Sequence, residues 1–198
     1  CALIGLEGAL VDVEVDIESR GLPSLTIVGL PDEAVRESRE RVRSAIKNSD
    51  LAATHPRTTV NLAPADLRKA GPAYDLPIAV GLLMASRQIP PDVESALFVG
   101  ELSLDGTVRH INGILPMASY ARRCGITTIY VPQVDAPEAA LVQDLDVIPV
   151  DNLISLVGHL RGFSPIAPYQ TDVAFGEDEE PQYGTDMKHI KGQEHVKR

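Results

Sequence analysis

The amino-acid sequence predicts an α/β (α+β) fold, a sandwich of a mixed sheet with helices packed on it. Apolar and acidic residues alternate strictly in VDVEVDI (11–17), as they do in a half-buried strand. After residue 125, strand-like and helical segments alternate in the order 126–132, 136–142, 146–150 and 152–160. Strands that alternate with helices are typical of helices packed against a sheet.

The first 50 residues predict strands followed by one long helix. Residues 2–17 predict a hairpin, because Gly5 and Gly8 allow a turn, and SLTIVGL (24–30) predicts a further strand. A helix is predicted over 31–48, with Pro31, Asp32 and Glu33 in its first turn. Its buried face is predicted from an apolar stripe at helical spacing, formed by Val35, Val42, Ala45 and Ile46.

The middle of the chain predicts a strand, a tight turn and a buried helix. Residues 57–64 are β-branched enough for a strand, and Gly71-Pro72 predicts a turn. The segment 75–89 is apolar nearly all round and predicts a buried helix. Asp75 is placed to cap this helix, and Pro90-Pro91 are placed to end it.

A hairpin is predicted over 97–111, with Asp105-Gly106 in a type I′ turn. A helix is predicted over 113–124, and Gly125 is placed to end it.

The composition limits the classes of function. The formal net charge is −10, so only a local basic patch could bind nucleic acid. Two cysteines provide no disulfide framework and indicate a reducing compartment, for which we expect the cytoplasm. No apolar run approaches the roughly 20 residues of a membrane span, so we expect no membrane partner.

One face of the predicted helix 31–48 carries candidate DNA contacts. They are Arg36, Arg39, Arg43 and Lys47, with Arg41 beside them. Glu37 and Glu40 are spaced to pair with Arg41 and Arg43. Two interpretations stay open, a solvated face that pairs with itself, which the spacing favours, and a phosphate-binding face.

Motifs for catalysis and metal binding are missing or weak. The chain has no GxxxxGK[ST] phosphate loop, so we expect no ATP binding by this chain. Its histidines and cysteines are scattered, which gives no zinc pattern, and turn chemistry explains Asp105 near Glu101. No GxSxG motif occurs, which leaves Ser86 and Ser103 as nucleophiles for a divergent peptidase.

Three long segments resemble the N-terminal domain of the magnesium-chelatase-like AAA+ ATPases of the ComM (competence) type. They are GLPSLTIVGLPDEAVRESRERVRSAIKNS (21–49), RTTVNLAPADLRKAGPAYDLPIAVG (57–81) and LFVGELSLDGTVRHINGILPMA (97–118). The resemblance covers residues 2 to about 160, and the closing IKGQEHVKR resembles the segment just before the ATPase module of that family.

With the change of composition after Gly162, the resemblance implies three parts of a longer protein. They are a Lon-like N-terminal domain (1–162), an acidic linker containing Pro and Gly (163–186), and the start of a truncated AAA+ module (187–198).

The N-terminal domain of that family in turn resembles the proteolytic domain of Lon proteases, with a ribosomal protein S5 domain 2-like fold. Lon places a catalytic serine directly after a Gly-Pro and a catalytic lysine soon after a Gly-Gly. Here Gly71-Pro72 is followed by Ala73, and the lysine position in INGIL (111–115) falls on Leu115. Both members of the dyad are absent, so the resemblance implies no peptidase activity.

The resemblance implies a non-catalytic accessory domain of a hexameric AAA+ motor that acts on single-stranded or branched DNA in recombination or transformation. ATP and Mg²⁺ are expected in the AAA+ module and no cofactor in this chain. The expected partners are other subunits of a homo-hexamer and DNA. The alternatives are the ATPase subunit of a magnesium chelatase, a divergent Lon-like peptidase and a pure oligomerisation module.

Overall fold

The computed structural model of the protein describes residues 1–4, 7–18, 21–52, 57–91, 93 and 96–170. The expected start of an AAA+ module (187–198) and the expected linker from residue 171 lie outside these residues, as do Gly5, His55, His189 and His195.

The fold is mixed α/β, as the sequence predicts. Its helices are α1 (Glu33–Asn48), α2 (Asp75–Ala85), α3 (Ile114–Arg123), α4 (Ala136–Ala139) and α5 (Leu153–Leu160). Its strands are β1 (Ala2–Ile4), β2 (Glu7–Ala9), β3 (Asp12–Ile17), β4 (Ser24–Val28), β5 (Arg57–Ala63), β6 (Ala96–Phe98), β7 (Glu101–Leu102), β8 (Val108–Arg109), β9 (Thr128–Pro132) and β10 (Asp146–Val150).

The first three-stranded sheet has the order β3-β5-β4. The central strand β5 runs antiparallel to β3 and parallel to β4. The alternation that predicts β3 is confirmed, because its three acidic side chains are exposed while Val13 and Val15 pack against the core. The N-terminal hairpin predicted over 2–17 is confirmed only for its first part, the antiparallel pair β1–β2, because β3 pairs with β5 instead. Helix α2 packs on β3, and α1 packs on α2 and β4.

The second three-stranded sheet has the order β10-β9-β6 and is parallel throughout. Along β9, Ile129 and Val131 belong to one apolar cluster, here called the second core, which also contains residues of α3 and α4. Tyr130 between them points to the other cluster, here called the first core, which contains residues of α1, α2 and α5. This alternation places the second sheet between two cores. Within the described residues, no helix has the length and apolar character needed to span a membrane.

Helix α1 begins two residues later than predicted. Asp32 is extended and serves as the N-cap, because its carboxylate accepts the N–H of Val35 at 2.9 Å. Pro31 therefore lies outside the helix, where it bridges to Lys69, and the N–H of Asp32 donates to the carbonyl of Lys69 at 2.9 Å. The predicted apolar stripe of α1 is confirmed as buried.

Helix α2 ends four residues earlier than predicted. The hydroxyl of Ser86 donates to the carbonyls of Leu82 at 2.8 Å and Leu83 at 3.1 Å. Arg87 then takes the left-handed conformation, with φ of 60°. These contacts end the helix before the chain reaches Pro90-Pro91, so the predicted stop at the prolines is wrong.

The hairpin is shorter than predicted, and its turn is not type I′. Strand β7 pairs with β8, whereas Ala96–Phe98 belongs to the second sheet. Gly106 has φ of 89°, but Asp105 is not left-handed, and a type I′ turn needs positive φ at both central residues. The N–H of Gly106 donates to the carbonyl of Ser103 at 3.0 Å, which closes a three-residue loop with glycine in its left-handed position.

A buried ion pair joins three elements. Arg41 donates from Nε to Asp75 Oδ2 at 2.6 Å and from Nη2 to Oδ1 at 3.0 Å. Asp75 Oδ2 also accepts the N–H of Leu102 at 3.1 Å, and Arg41 Nη2 donates to the carbonyl of Ala34 at 3.0 Å. The carboxylate therefore ties α1, α2 and β7 together. The hydrogen bond to Asp75 raises the pKa of Arg41 above its ordinary value.

Two predictions for these side chains are wrong. Asp75 does not cap α2, because it is the first helical residue and its carboxylate is occupied by Arg41 and Leu102. Arg41 does not lie on the solvated face of α1, because it turns inward to Asp75. It keeps the predicted i,i+4 pair with Glu37, at 3.7 Å.

Replacing Asp75 by Asn should lower the free energy of unfolding by roughly 2–4 kcal/mol, because the half-buried Arg41 would lose its short two-point ion pair and keep only the 3.7 Å contact with exposed Glu37. Urea unfolding of the 198-residue chain measures the change. The matched control is Arg39→Gln, which breaks an exposed pair with Glu40 and should cost no more than about 0.5 kcal/mol. An Asp75→Asn variant as stable as the control would contradict a stabilising role for this pair.

Candidate functional site

The turn at Gly71–Tyr74 is held from two sides. Gly71 has φ of 83°, a conformation open to glycine and strained for other residues, and its N–H donates to the carboxylate of Asp32 at 3.3 Å. Pro72–Tyr74 form a 3-10 helix that leads into α2. The N–H of Gly100 donates to the carbonyl of Ala73 at 3.2 Å, which fixes the turn against the end of β6.

Lys69 anchors the chain just before this turn. Its side chain is fully buried, and Nζ donates to the carbonyl of Pro64. Burial lowers the pKa of Lys69, while the charge of Asp66 opposes that effect. Its backbone also bonds to Leu30 and Asp32, so the turn is fixed to the start of α1.

A cavity of about 360 Å³ opens beside the turn. Ala73 and Tyr74 form one wall, and Ile111 and Asn112 from the loop before α3 form another. Burial, with the charge of Asp32, raises the pKa of Tyr74 to about 12, so this phenol is neutral. The structure thus brings the Gly-Pro turn and the INGIL stretch to one cavity.

The two positions that the Lon resemblance assigns to a catalytic dyad, Ala73 and Leu115, hold only apolar side chains. Ala73 is half-buried, lines the cavity and packs against the second core. Leu115 does not line the cavity; it is 37% exposed, and its backbone N–H donates to Glu138 at 3.2 Å. Among the described residues that line the cavity there is no serine, threonine or lysine, and the Cys1 thiol is buried and contacts the Ala2 carbonyl.

His110, which lines the cavity, pairs with Asp135, a contact that the sequence did not indicate. His110 Nδ1 bonds to Asp135, whose other oxygen accepts the N–H of Ile111 at 3.0 Å. The hydrogen bond to buried Asp135 raises the pKa of His110. Arg68 and Glu101 line the same cavity. His110 and Asp135 are 25 positions apart in the sequence, and no periodic signal between them would have predicted their contact.

The alternative nucleophiles are both unsuited to attack. The hydroxyl of Ser86 is occupied by the end of α2 and also accepts a hydrogen bond from Gln88 at 2.8 Å. The hydroxyl of Ser103 is buried and has no partner among the described residues. A serine nucleophile needs an adjacent base, and neither side chain contacts a histidine or lysine in the described part of the chain.

The pair Glu101 and Asp105 does not form a metal site with a third ligand. The carboxylate of Asp105 accepts the N–H of Thr107 at 3.0 Å, and this backbone bond lowers its pKa. Over the described residues, no three His, Cys, Asp or Glu side chains converge as a metal would require.

The basic face of α1 is exposed and continuous. Arg36, Arg39, Arg43 and Lys47 are all exposed and follow one another at spacings of three or four, so they form one stripe along the helix. Arg39 contacts Glu40 at 3.0 Å, whereas within the described residues the other three form no ion pair. The predicted pairing of Glu40 with Arg43 is therefore replaced by pairing with Arg39.

Comparison with known proteins identifies the relatives of this chain. Residues 13–135 match the family described as "Subunit ChlI of Mg-chelatase". The chain is 38% identical over 200 residues to the competence protein ComM of Haemophilus influenzae, with 100% of this chain and 39% of that protein covered. It is 40% identical over 199 residues to YifB of Salmonella typhimurium, which covers 100% of this chain and 38% of YifB.

A weaker similarity extends to peptidases. The chain is 26% identical over 163 residues to the Lon protease of Mycolicibacterium smegmatis, with 78% of this chain and 20% of that protein covered. The similarity agrees with a Lon-like fold. The chain spans about two fifths of the length of the curated ComM and YifB relatives that it matches. On the family match and the similarity to ComM and YifB along its whole length, the chain belongs to the magnesium-chelatase ChlI-like family and is of the ComM type.

Proposed function

We propose that this chain is a non-catalytic accessory domain of a ComM-type AAA+ ATPase, and that the full-length protein is an ATP-driven hexameric motor acting on DNA in the cytoplasm. The observation that carries the proposal is the Gly71-Pro72 turn, which leads into Ala73 while Leu115 stands at the second dyad position. The turn is packed and held by hydrogen bonds, yet it presents no nucleophile. ATP and Mg²⁺ would bind in a module outside this chain.

The exposed stripe on α1 supports DNA as a partner of this domain. Within the described residues, three of its four cations form no ion pair within 4.0 Å, so they are available to phosphates. A stripe on one helix face follows a nucleic-acid backbone better than scattered charges do. Because the chain as a whole is acidic, DNA contact would be confined to this face.

We expect no peptide cleavage and no ATP hydrolysis by this chain, because it lacks both the dyad and a phosphate loop. The assays are cleavage of a fluorescent casein or peptide substrate, phosphate release from ATP, and labelling with a fluorophosphonate probe. Lon protease is the positive control for cleavage. Cleavage or labelling that disappears in Ser86→Ala or Ser103→Ala would instead establish a divergent peptidase.

The double variant Arg39→Glu/Arg43→Glu of the full-length protein should bind DNA at least about tenfold more weakly at low salt, because two phosphate contacts are replaced by repulsion. For this variant, the slope of the log binding constant against log salt concentration should be less negative by roughly one to two, because fewer counterions are released on binding. Fluorescence anisotropy with labelled single-stranded and forked DNA at two salt concentrations measures both effects.

The control carries the same charge change elsewhere, Arg109→Glu/Arg123→Glu, on the exposed side chains of β8 and α3. If both double variants weaken DNA binding equally, the effect is one of net charge, and the α1 face is not the contact surface.

A further inference from the structure

The chain after α5 folds back onto the domain. The N–H groups of Phe163 and Ser164 both donate to the carbonyl of Gly158, at 2.9 and 3.1 Å. Ile166 is half-buried and packs against the first core. The N–H of Tyr169 donates to the carbonyl of Val147 at 2.7 Å, on the edge of β10 that β9 does not occupy. Residues 163–169, here called the connector, therefore have three attachment points on a domain expected to end at residue 162.

The central attachment point is an imidazole. The N–H of Ile166 donates to Nδ1 of His159 at 2.8 Å, and Nε2 of His159 bonds to the hydroxyl of Tyr130 at 3.2 Å. Tyr130 is stacked on Phe98, with ring centroids 4.3 Å apart. The ring that receives the connector is therefore held by the second sheet.

The donor on Ile166 fixes the protonation of this imidazole. A backbone N–H can only donate, so Nδ1 must carry a lone pair, and the ring proton sits on Nε2, where it donates to Tyr130. The bond is compatible with the neutral ring alone. Burial also lowers the pKa of His159 from its ordinary value of 6.5.

The surroundings of the imidazole add little charge. Tyr130 on β9 is the titratable group that bonds to it, and burial raises the pKa of that phenol. Arg161, just beyond α5, turns to the carbonyl of Gln88 at 2.7 Å, and Asp146 of β10 is exposed. The connector, FSPIAPY, has no charged side chain.

We propose that residues 163–169 are a docked connector rather than a free spacer, and that the neutral imidazole of His159 is the latch that holds it against α5 and β10. While the latch is closed, whatever follows Tyr169 starts at the edge of the second sheet. Once it opens, seven residues are released, which gives the following chain up to about 25 Å of added reach. The consequence for a following ATPase module rests on the proposed function, whereas the docking does not.

The test is amide hydrogen exchange of the full-length protein, read on the peptide that contains Ile166 and Tyr169 and corrected for intrinsic exchange rates. His159→Phe keeps an aromatic ring but removes the acceptor, so protection of this peptide should fall by about tenfold at pH 7.5. His159→Asn offers an amide oxygen near the position of Nδ1 and should keep much of the protection. Peptides of α3 should not change in either variant.

The pH dependence of protection in this peptide gives a second test, which does not require the His159→Phe variant to fold. Burial lowers the pKa of His159, and the hydrogen bond from Ile166 needs the neutral ring. The contribution of this bond to docking is therefore complete above pH 6.5 and is lost as the pH falls below that value. Between pH 7.5 and 5 the wild type should lose protection in this peptide, and His159→Asn should not. Equal protection in wild type and His159→Phe, or equal loss in wild type and His159→Asn, would overturn the latch.

Discussion

The first half of this fold depends on the ion pair between Arg41 and Asp75. Asp75 is fully buried, and α1, α2 and β7 all place a donor or an acceptor around that one pair. A buried carboxylate destabilises the fold unless its oxygens accept hydrogen bonds from nearby donors. The positions of α1, α2 and β7 are therefore restricted to those in which Asp75 keeps its partners. The turn that begins at Gly71 leads directly into Asp75, so it meets α2 at the residue that this ion pair holds.

Apolar periodicity in the sequence was sufficient for most of the fold, because it reflects burial directly. The buried stripe of α1, the alternation of β3 and the mixed α/β class were all predicted correctly. Element ends and one turn type were predicted wrongly, and two further errors occurred where a polar side chain has two possible roles. Asp75 has the position of a helix cap, and Arg41 has the spacing of a surface residue. The two residues pair with each other across 34 positions of the sequence, and no local sequence rule predicts that contact.

The candidate site was predictable only in part. The positions of Ala73 and Leu115 followed from the resemblance, and the structure adds that Ala73 lies on a cavity while Leu115 does not. His110 and Asp135 could not be paired from the sequence, because each looks like an ordinary surface or loop residue until the folded chain brings them together. The exposure of the α1 stripe was predictable, since the opposite face of the helix is apolar.

The position of β9 between two cores has a mechanical consequence. Ile129 and Val131 press against α3 and α4, and Tyr130 presses against Phe98 and the other core. Packed interiors transmit displacement because they contain few voids. A force applied to α3 or α4 therefore reaches α5 through the second sheet, and the two halves of the domain should yield to strain together rather than one at a time.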